Sequence, residues 1–154
     1  MAVPKSDGTT RLCVDFRKLN EITAVDPYPM PSMRDLISNI GVNKVFSTVD
    51  LLQGFHQIYL DSDSAHMTGF SSGSNHYEFV RMPFCLKSSP ITFVRLIDTV
   101  FRGLIGKACV VYIDDLIILG QDEQDHMRNL ELVLGRLKEA NLKLKISKYS
   151  FMKK

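Results

Sequence analysis

The chain has 154 residues, 45% of them apolar and 23% charged, a balance that supports a core and excludes disordered and fibrous classes. Its net charge of +2 is compatible with a polyanionic partner but too small to argue for one by itself. Cys13, Cys85 and Cys109 show neither a disulfide framework nor metal-ligand spacing, and no signal peptide or apolar run of the ~20 residues that span a bilayer is visible, so an intracellular, reducing location away from membranes is expected.

The first predicted element is a turn at Asp7-Gly8 leading into a strand in which Leu12, Val14 and Phe16 alternate with polar residues and Cys13. "DPYPMPSM" carries prolines at alternating positions and must be extended. Ser32 reads as the N-cap of a helix "MRDLISNI" that Gly41 closes. "KVFSTVDLL" is a short β-rich run containing Asp50, and "HMTGFSSGSNHYEFVRMPF" reads as two strands around a turn. The clearest helix starts at Ser89-Pro90, places Phe93, Leu96, Ile97, Val100, Phe101 and Leu104 on one side, and stops at Gly103 or Gly106. "VVYIDDLIILG" follows as two apolar strand segments around an acidic pair. A second amphipathic helix through Met127, Leu130, Val133, Leu134 and Leu137 then precedes a basic tail. Strands and helices mix without regular βαβ alternation, so one α+β domain with a largely antiparallel sheet is expected, with no linker dividing it.

Asp114 and Asp115 interrupt an otherwise apolar run, and a hairpin "VVYI-DD-LIIL" would expose both at its tip. Asp is common in turns, so the pair alone has a plain structural reading. Asp50 is a third acid at the end of a buried strand. If the two strands are neighbours, three carboxylates converge and repel, and a divalent cation removes that penalty. Mg²⁺ prefers a few carboxylates plus water and substrate phosphates, and two such ions can clamp an in-line phosphoryl transfer. His56, His66, His76 and His126 share no ligand spacing.

"VPKSDGTTRLCVDFRKLNEIT", "PYPMPSMRDLI", "FSTVDLLQGFHQI", "HYEFVRMPFCLKSSPITFVRLID" and "VYIDDLIIL" together resemble, in order, the reverse transcriptases of gypsy-like LTR retrotransposons. The resemblance runs from about Val3 to the end of the chain. It implies the fingers and palm of a right-hand RNA-directed DNA polymerase, a partial domain at 1–154 without thumb or ribonuclease H. By motif position Asp50 and Asp114 resemble the principal metal-binding aspartates and Asp115 the third, with two Mg²⁺ ions implied and Mn²⁺ able to substitute. Arg11, Leu51, Phe55 and Phe84 fall at nucleotide-side positions: Arg11 toward the triphosphate, Phe55 beneath the sugar where a flat ring rejects a 2′-hydroxyl. Asp15, Arg17 and Tyr112 fall on the template and primer side. The implied partners are an RNA or DNA template with its primer, deoxynucleoside triphosphates, and the remainder of a polyprotein.

Each position also has a plain reading: Arg11 as an exposed strand arginine, Phe55 as core, Asp15 as a partner for Arg17 or Lys18. "MPFCL" departs from the family by placing Cys85 where glycine is usual, which strains the backbone if that position needs φ > 0. An inactive retroelement fragment that binds nucleic acid weakly is therefore the alternative. A two-metal nuclease needs only the carboxylates and leaves Arg11, Phe55 and Phe84 unexplained.

Overall fold

The computed structural model describes residues 2–4, 8, 10–24, 26–30, 32–145 and 149–153. The chain divides into two compact units, one made of Met1–Pro27 with Phe55–Pro90 and one of Tyr28–Gly54 with Ile91–Lys154.

The first unit holds strands β1 (Ala2–Pro4) and β2 (Thr10–Leu12), an antiparallel pair in which Val3 faces Arg11. Gly8 lies between them at φ +78°, while Asp7, the other half of the predicted turn, lies outside the described residues. The predicted strand does not continue to Phe16. It ends at Leu12, and a short helix α1 (Arg17–Ile22) follows that the alternating pattern hid. Phe16 is buried instead in an aromatic cluster, edge-on to Phe79, which in turn stacks on His56 and packs on Phe70.

The second unit is built on a four-stranded antiparallel sheet. Helix α2 (Met33–Ile40) forms where predicted, with Gly41 beyond it at φ +48°. β3 (Val45–Asp50), β6 (Cys109–Tyr112), β7 (Asp115–Gly120) and β8 (Ser150–Lys153) order as β6-β7-β3-β8. Strands β4 (Phe70–Ser72) and β5 (Asn75–Tyr77) form a separate hairpin in the first unit, after a one-turn helix α3 (Ser62–Ala65). The basic tail thus adds an edge strand, a pairing that its composition did not announce.

The sheet explains why β7 is apolar on both faces. Leu116 and Ile118 share a face with Val45, Ser47 and Val49 of β3, all buried. Ile117 and Leu119 face the other way and meet Val110, Phe46 and the α2 residues Leu36 and Ile40. Ser47 is buried without penalty because its hydroxyl oxygen accepts from the Met152 N–H at 3.1 Å. The fully buried Cys109 thiol is pushed up to about 12 by desolvation and is chemically quiet.

Helix α4 (Ser89–Val100) begins at Ser89-Pro90 as predicted and buries Phe93, Val94 and Ile97, with Phe101 just past its end. Helix α5 (Glu123–Glu139) packs against β7 and β3, capped by the Asp122 side chain, which accepts from the Asp125 N–H. Its inward face matches the predicted one at Val133 and Leu137 and departs from it at Met127 and Leu134. His126, Val133 and Leu137 are buried, while Met127 and Leu134 are exposed. The cause is Gly120, where an added Cβ would stand 2.4 Å from His126 Cβ: the bare glycine lets the helix sit down on the strand with His126 inward.

Neither ring nitrogen of His126 has a hydrogen-bond partner among the described residues, and burial pushes its imidazole below the ordinary 6.5, against a smaller opposing pull from Asp125. The folded state therefore keeps His126 neutral where the unfolded chain takes up a proton. Stability from this group is full above 6.5 and is lost as pH falls below it. His126→Leu is expected to raise stability by about 1 kcal/mol near neutrality and to flatten the acid-side loss. Urea unfolding of both proteins at about pH 7.5 and about pH 5.5 measures this, and an unchanged pH slope would contradict it.

Candidate active site

β6 and β7 are joined by a two-residue turn, Ile113-Asp114, flanked by the facing pair Tyr112 and Asp115. This corrects the expected tip. The acidic pair is split: Asp114 lies in the turn and Asp115 is the first residue of β7. A run that is apolar on both faces carries no alternation to say which residues turn, so the sequence alone left the register open by one. Ile113 takes φ +54° and Asp114 does not have positive φ, the order found in type II′ hairpin turns, which prefer glycine first. A β-branched residue there stores strain of order 1–3 kcal/mol, the kind of outlier that concentrates at functional sites.

The pairing of β3 with β7 sets Asp50 directly opposite Asp115. Facing residues of antiparallel strands share a sheet face, so Asp50, Asp115 and Tyr112 lie on the same one. At the far end of that face α2 covers Phe46 and Leu119; at this end Asp115 and Tyr112 are exposed. Two carboxylates facing each other repel, an arrangement a sheet does not adopt for stability. Asp114 is tied in by its carbonyl, which accepts from the Leu51 N–H at 3.2 Å. Leu51, expected on the nucleotide side, is 2% exposed, its apolar side chain packed into the core at the strand end.

Sequence reasoning missed Gly54. An added Cβ there would stand 2.6 Å from Asp114 Oδ1 and 2.8 Å from Phe93 Cζ. The buried Oδ1 of Asp114 thus lies against a bare Cα, in a niche walled by Phe93. The signal was present in the quoted "LLQGFHQ", but its meaning depends on a residue far along the chain.

Among the described residues no group of three His, Cys, Asp or Glu side chains is placed to hold a metal by itself. The facing pair Asp50 and Asp115, with Asp114 next to it, nevertheless suits a hard cation of the Mg²⁺ kind. Such an ion takes one or two carboxylates and completes its shell with water and substrate phosphates rather than with an all-protein cage.

The remaining site candidates lie in the first unit. Arg11 pairs with Val3 through β2, and its side chain lies outside the described residues. Phe55 is 9% exposed and tilts against Phe84 at 5.3 Å between ring centroids, while His56 meets Phe84 edge-on at 4.9 Å. Asp15 and Arg17 form an exposed bidentate pair, Nη2 to Oδ2 at 2.6 Å and Nε to both carboxylate oxygens at 3.0 Å. The Arg17 guanidinium holds the Asp15 carboxyl down at about 2.

Cys85 stands at φ +73°. The expected strain is therefore present. Cys85→Gly is expected to raise the unfolding free energy by about 1 kcal/mol, or Tm by about 3 °C, since a Cβ penalty disappears. Thermal melts read by circular dichroism check it, and a lower Tm would show that the Cys85 side chain contributes more than its left-handed backbone costs.

The residue pattern of the family described as reverse transcriptase (RNA-dependent DNA polymerase) matches residues 3–154. The chain is 45% identical over 153 residues to the retrovirus-related Pol polyprotein of transposon 297 from Drosophila melanogaster, covering 98% of this chain and 14% of that protein. It is 46% identical over 143 residues to the Pol polyprotein of transposon gypsy from the same species, covering 93% and 14%. To the enzymatic polyprotein of cauliflower mosaic virus (strain Strasbourg) it is 33% identical over 150 residues, covering 97% and 22%. In structure it resembles the foamy viral protease-reverse transcriptase in complex with double-stranded DNA, with a TM-score of 0.90 and 26% identity over 99% of this chain and 26% of that one. The same foamy viral protein in complex with an RNA/DNA hybrid gives 0.89 and 25%, over 99% and 20%. The chain thus spans about a seventh of the transposon relatives, 14% of their length.

Proposed function

The chain belongs to the reverse transcriptase family, and from that premise we propose that it is the fingers and palm of an RNA-directed DNA polymerase of the gypsy-like group. The observation that carries the reading is the facing of Asp50 and Asp115 across β3 and β7 with Asp114 in the adjoining turn. In this reading the first unit contributes fingers residues and the second is the palm.

The reaction joins the primer 3′-oxygen to the α-phosphorus of a deoxynucleoside triphosphate and releases pyrophosphate. Asp50, Asp114 and Asp115 are the residues that would hold Mg²⁺, or Mn²⁺ in its place. Bound there, the ions neutralise the triphosphate and make the 3′-hydroxyl more acidic. Phe55, held against Phe84, presents a rigid ring to the sugar and rejects a 2′-hydroxyl. Arg11 offers a planar fork of donors to the phosphates. Tyr112, which shares its face with Asp50 and Asp115, is assigned to the primer side in this reading, and Asp15 and Arg17 to the template side. The expected partners are a primed RNA or DNA template and the rest of a Pol polyprotein. No helix among the described residues is long and apolar enough to cross a membrane.

Primer extension on an RNA template with a DNA primer and Mg²⁺ tests the reading. Metal-dependent incorporation by the chain is expected. No incorporation by the chain, nor by a longer product that carries it, would overturn it. The alternative, an inactive fragment, is favoured by one observation, the strained Cys85 at φ +73°. Activity that appears only in Cys85→Gly would support that alternative.

A further inference from the structure

The Cys85 turn is held from outside itself. Asn20, in the last part of α1, reaches 65 residues along the chain, and its Nδ2 donates to the Cys85 carbonyl at 2.9 Å. The Lys87 N–H donates to the Asn20 Oδ1 at 2.8 Å. An N–H can only donate and a carbonyl can only accept, so the orientation of the amide is set by its two partners. One planar side chain thus bridges the backbone on both sides of Leu86, directly after the residue at φ +73°. On the other side of the turn, Ser89 Oγ donates to the Pro83 carbonyl at 3.0 Å and is fully buried. Phe84 lies between these two anchors, and it is Phe84 that packs on Phe55 and His56.

We infer that Asn20 is a positioning residue for the Phe55–Phe84 pair: it holds Cys85 in the left-handed conformation and so fixes the backbone that carries Phe84. Only asparagine meets the chemistry at this reach. Aspartate keeps the acceptor for Lys87 but sets a second oxygen against the Cys85 carbonyl; alanine loses both bonds. Glycine at 85 would adopt the same φ without help. The clamp is therefore needed most when residue 85 carries a Cβ, which predicts coupling between Asn20 and Cys85 rather than two independent effects. The consequence for nucleotide use rests on the polymerase reading above; the clamp itself does not.

Two measurements separate them. Amide exchange of Lys87, followed by NMR, reads the clamp directly: Asn20→Ala is expected to speed it by roughly tenfold or more, and Asn20→Asp to leave it protected. The KM for deoxynucleoside triphosphate reads the consequence: Asn20→Ala and Asn20→Asp are both expected to raise it roughly tenfold with kcat less affected, and the rise is expected to shrink in a Cys85→Gly background. Should Asn20→Ala fail to fold, Asn20→Leu, of similar size and without either hydrogen bond, carries both readouts with the same expected changes. Unchanged Lys87 exchange in Asn20→Ala, or the same rise in KM in both backgrounds, would overturn the inference. A parent chain that incorporates nothing would instead overturn the polymerase reading, with Lys87 exchange still deciding the clamp.

Discussion

Asp114→Asn is expected to melt within a few degrees of the parent protein and to lose at least about a thousandfold in nucleotide incorporation, ~4 kcal/mol of transition-state stabilisation. Asparagine keeps the shape that fits between Gly54 and Phe93, so the niche remains filled. It gives up the negative charge, and a neutral amide does not hold a hard divalent cation beside a triphosphate. The two readouts are needed together. Loss of extension with an intact melt places Asp114 in the chemistry, whereas loss of both would mean only that the turn had collapsed. Extension within tenfold of the parent would show that Asp114 is a turn residue and no more. Asp50→Asn should behave in the same way, since Asp50 stands on the strand that faces Asp115.

Gly54→Ala carries the second large effect, and it acts without changing any charge. The new methyl would fall 2.6 Å from Asp114 Oδ1 and 2.8 Å from Phe93 Cζ. Phe93 is fully buried and has nowhere to go, so the carboxylate or the backbone must move. Overpacking of this kind costs about 1–3 kcal/mol of stability. A displacement near 1 Å of a catalytic group costs on the order of a hundredfold in rate. Urea unfolding and primer extension of the same preparation check both figures. Parent-like activity with lowered stability would show that Phe93 gives way and that the placement of Asp114 is not critical. Gly54→Ala is a sharper test of geometry than any aspartate variant, because it alters where the carboxylate sits and leaves its charge intact.

A linear chain carries those features that short-range patterns encode. Helices α2, α4 and α5, strands β3, β6 and β7 and the antiparallel character of the sheet were all readable, because apolar spacing and capping residues act over a few neighbouring positions. The short helix α1 and the edge strand β8 were not. Neither has a periodic pattern long enough to stand out, and β8 exists by pairing with β3 across most of the chain. At the start of α5 His126 rather than Met127 faces inward because the helix is seated by a glycine on another element, and a helical wheel does not know where that glycine lies.

The same division runs through the site. Five motifs in order along the chain determined the family, and they pointed to the reaction class to be tested and to Asp50, Asp114 and Asp115 as its candidate residues, since those follow from residue types and their order. Tertiary structure alone decided that Asp115 rather than Asp114 faces Asp50, that Gly54 makes room for Asp114, that Leu51 is core, and that Asn20 bridges the Cys85 carbonyl and the Lys87 N–H. Each of these joins residues remote in sequence, through strand register or close packing. Such contacts are set by what the rest of the fold leaves room for, and no local pattern of charge, size or polarity encodes them.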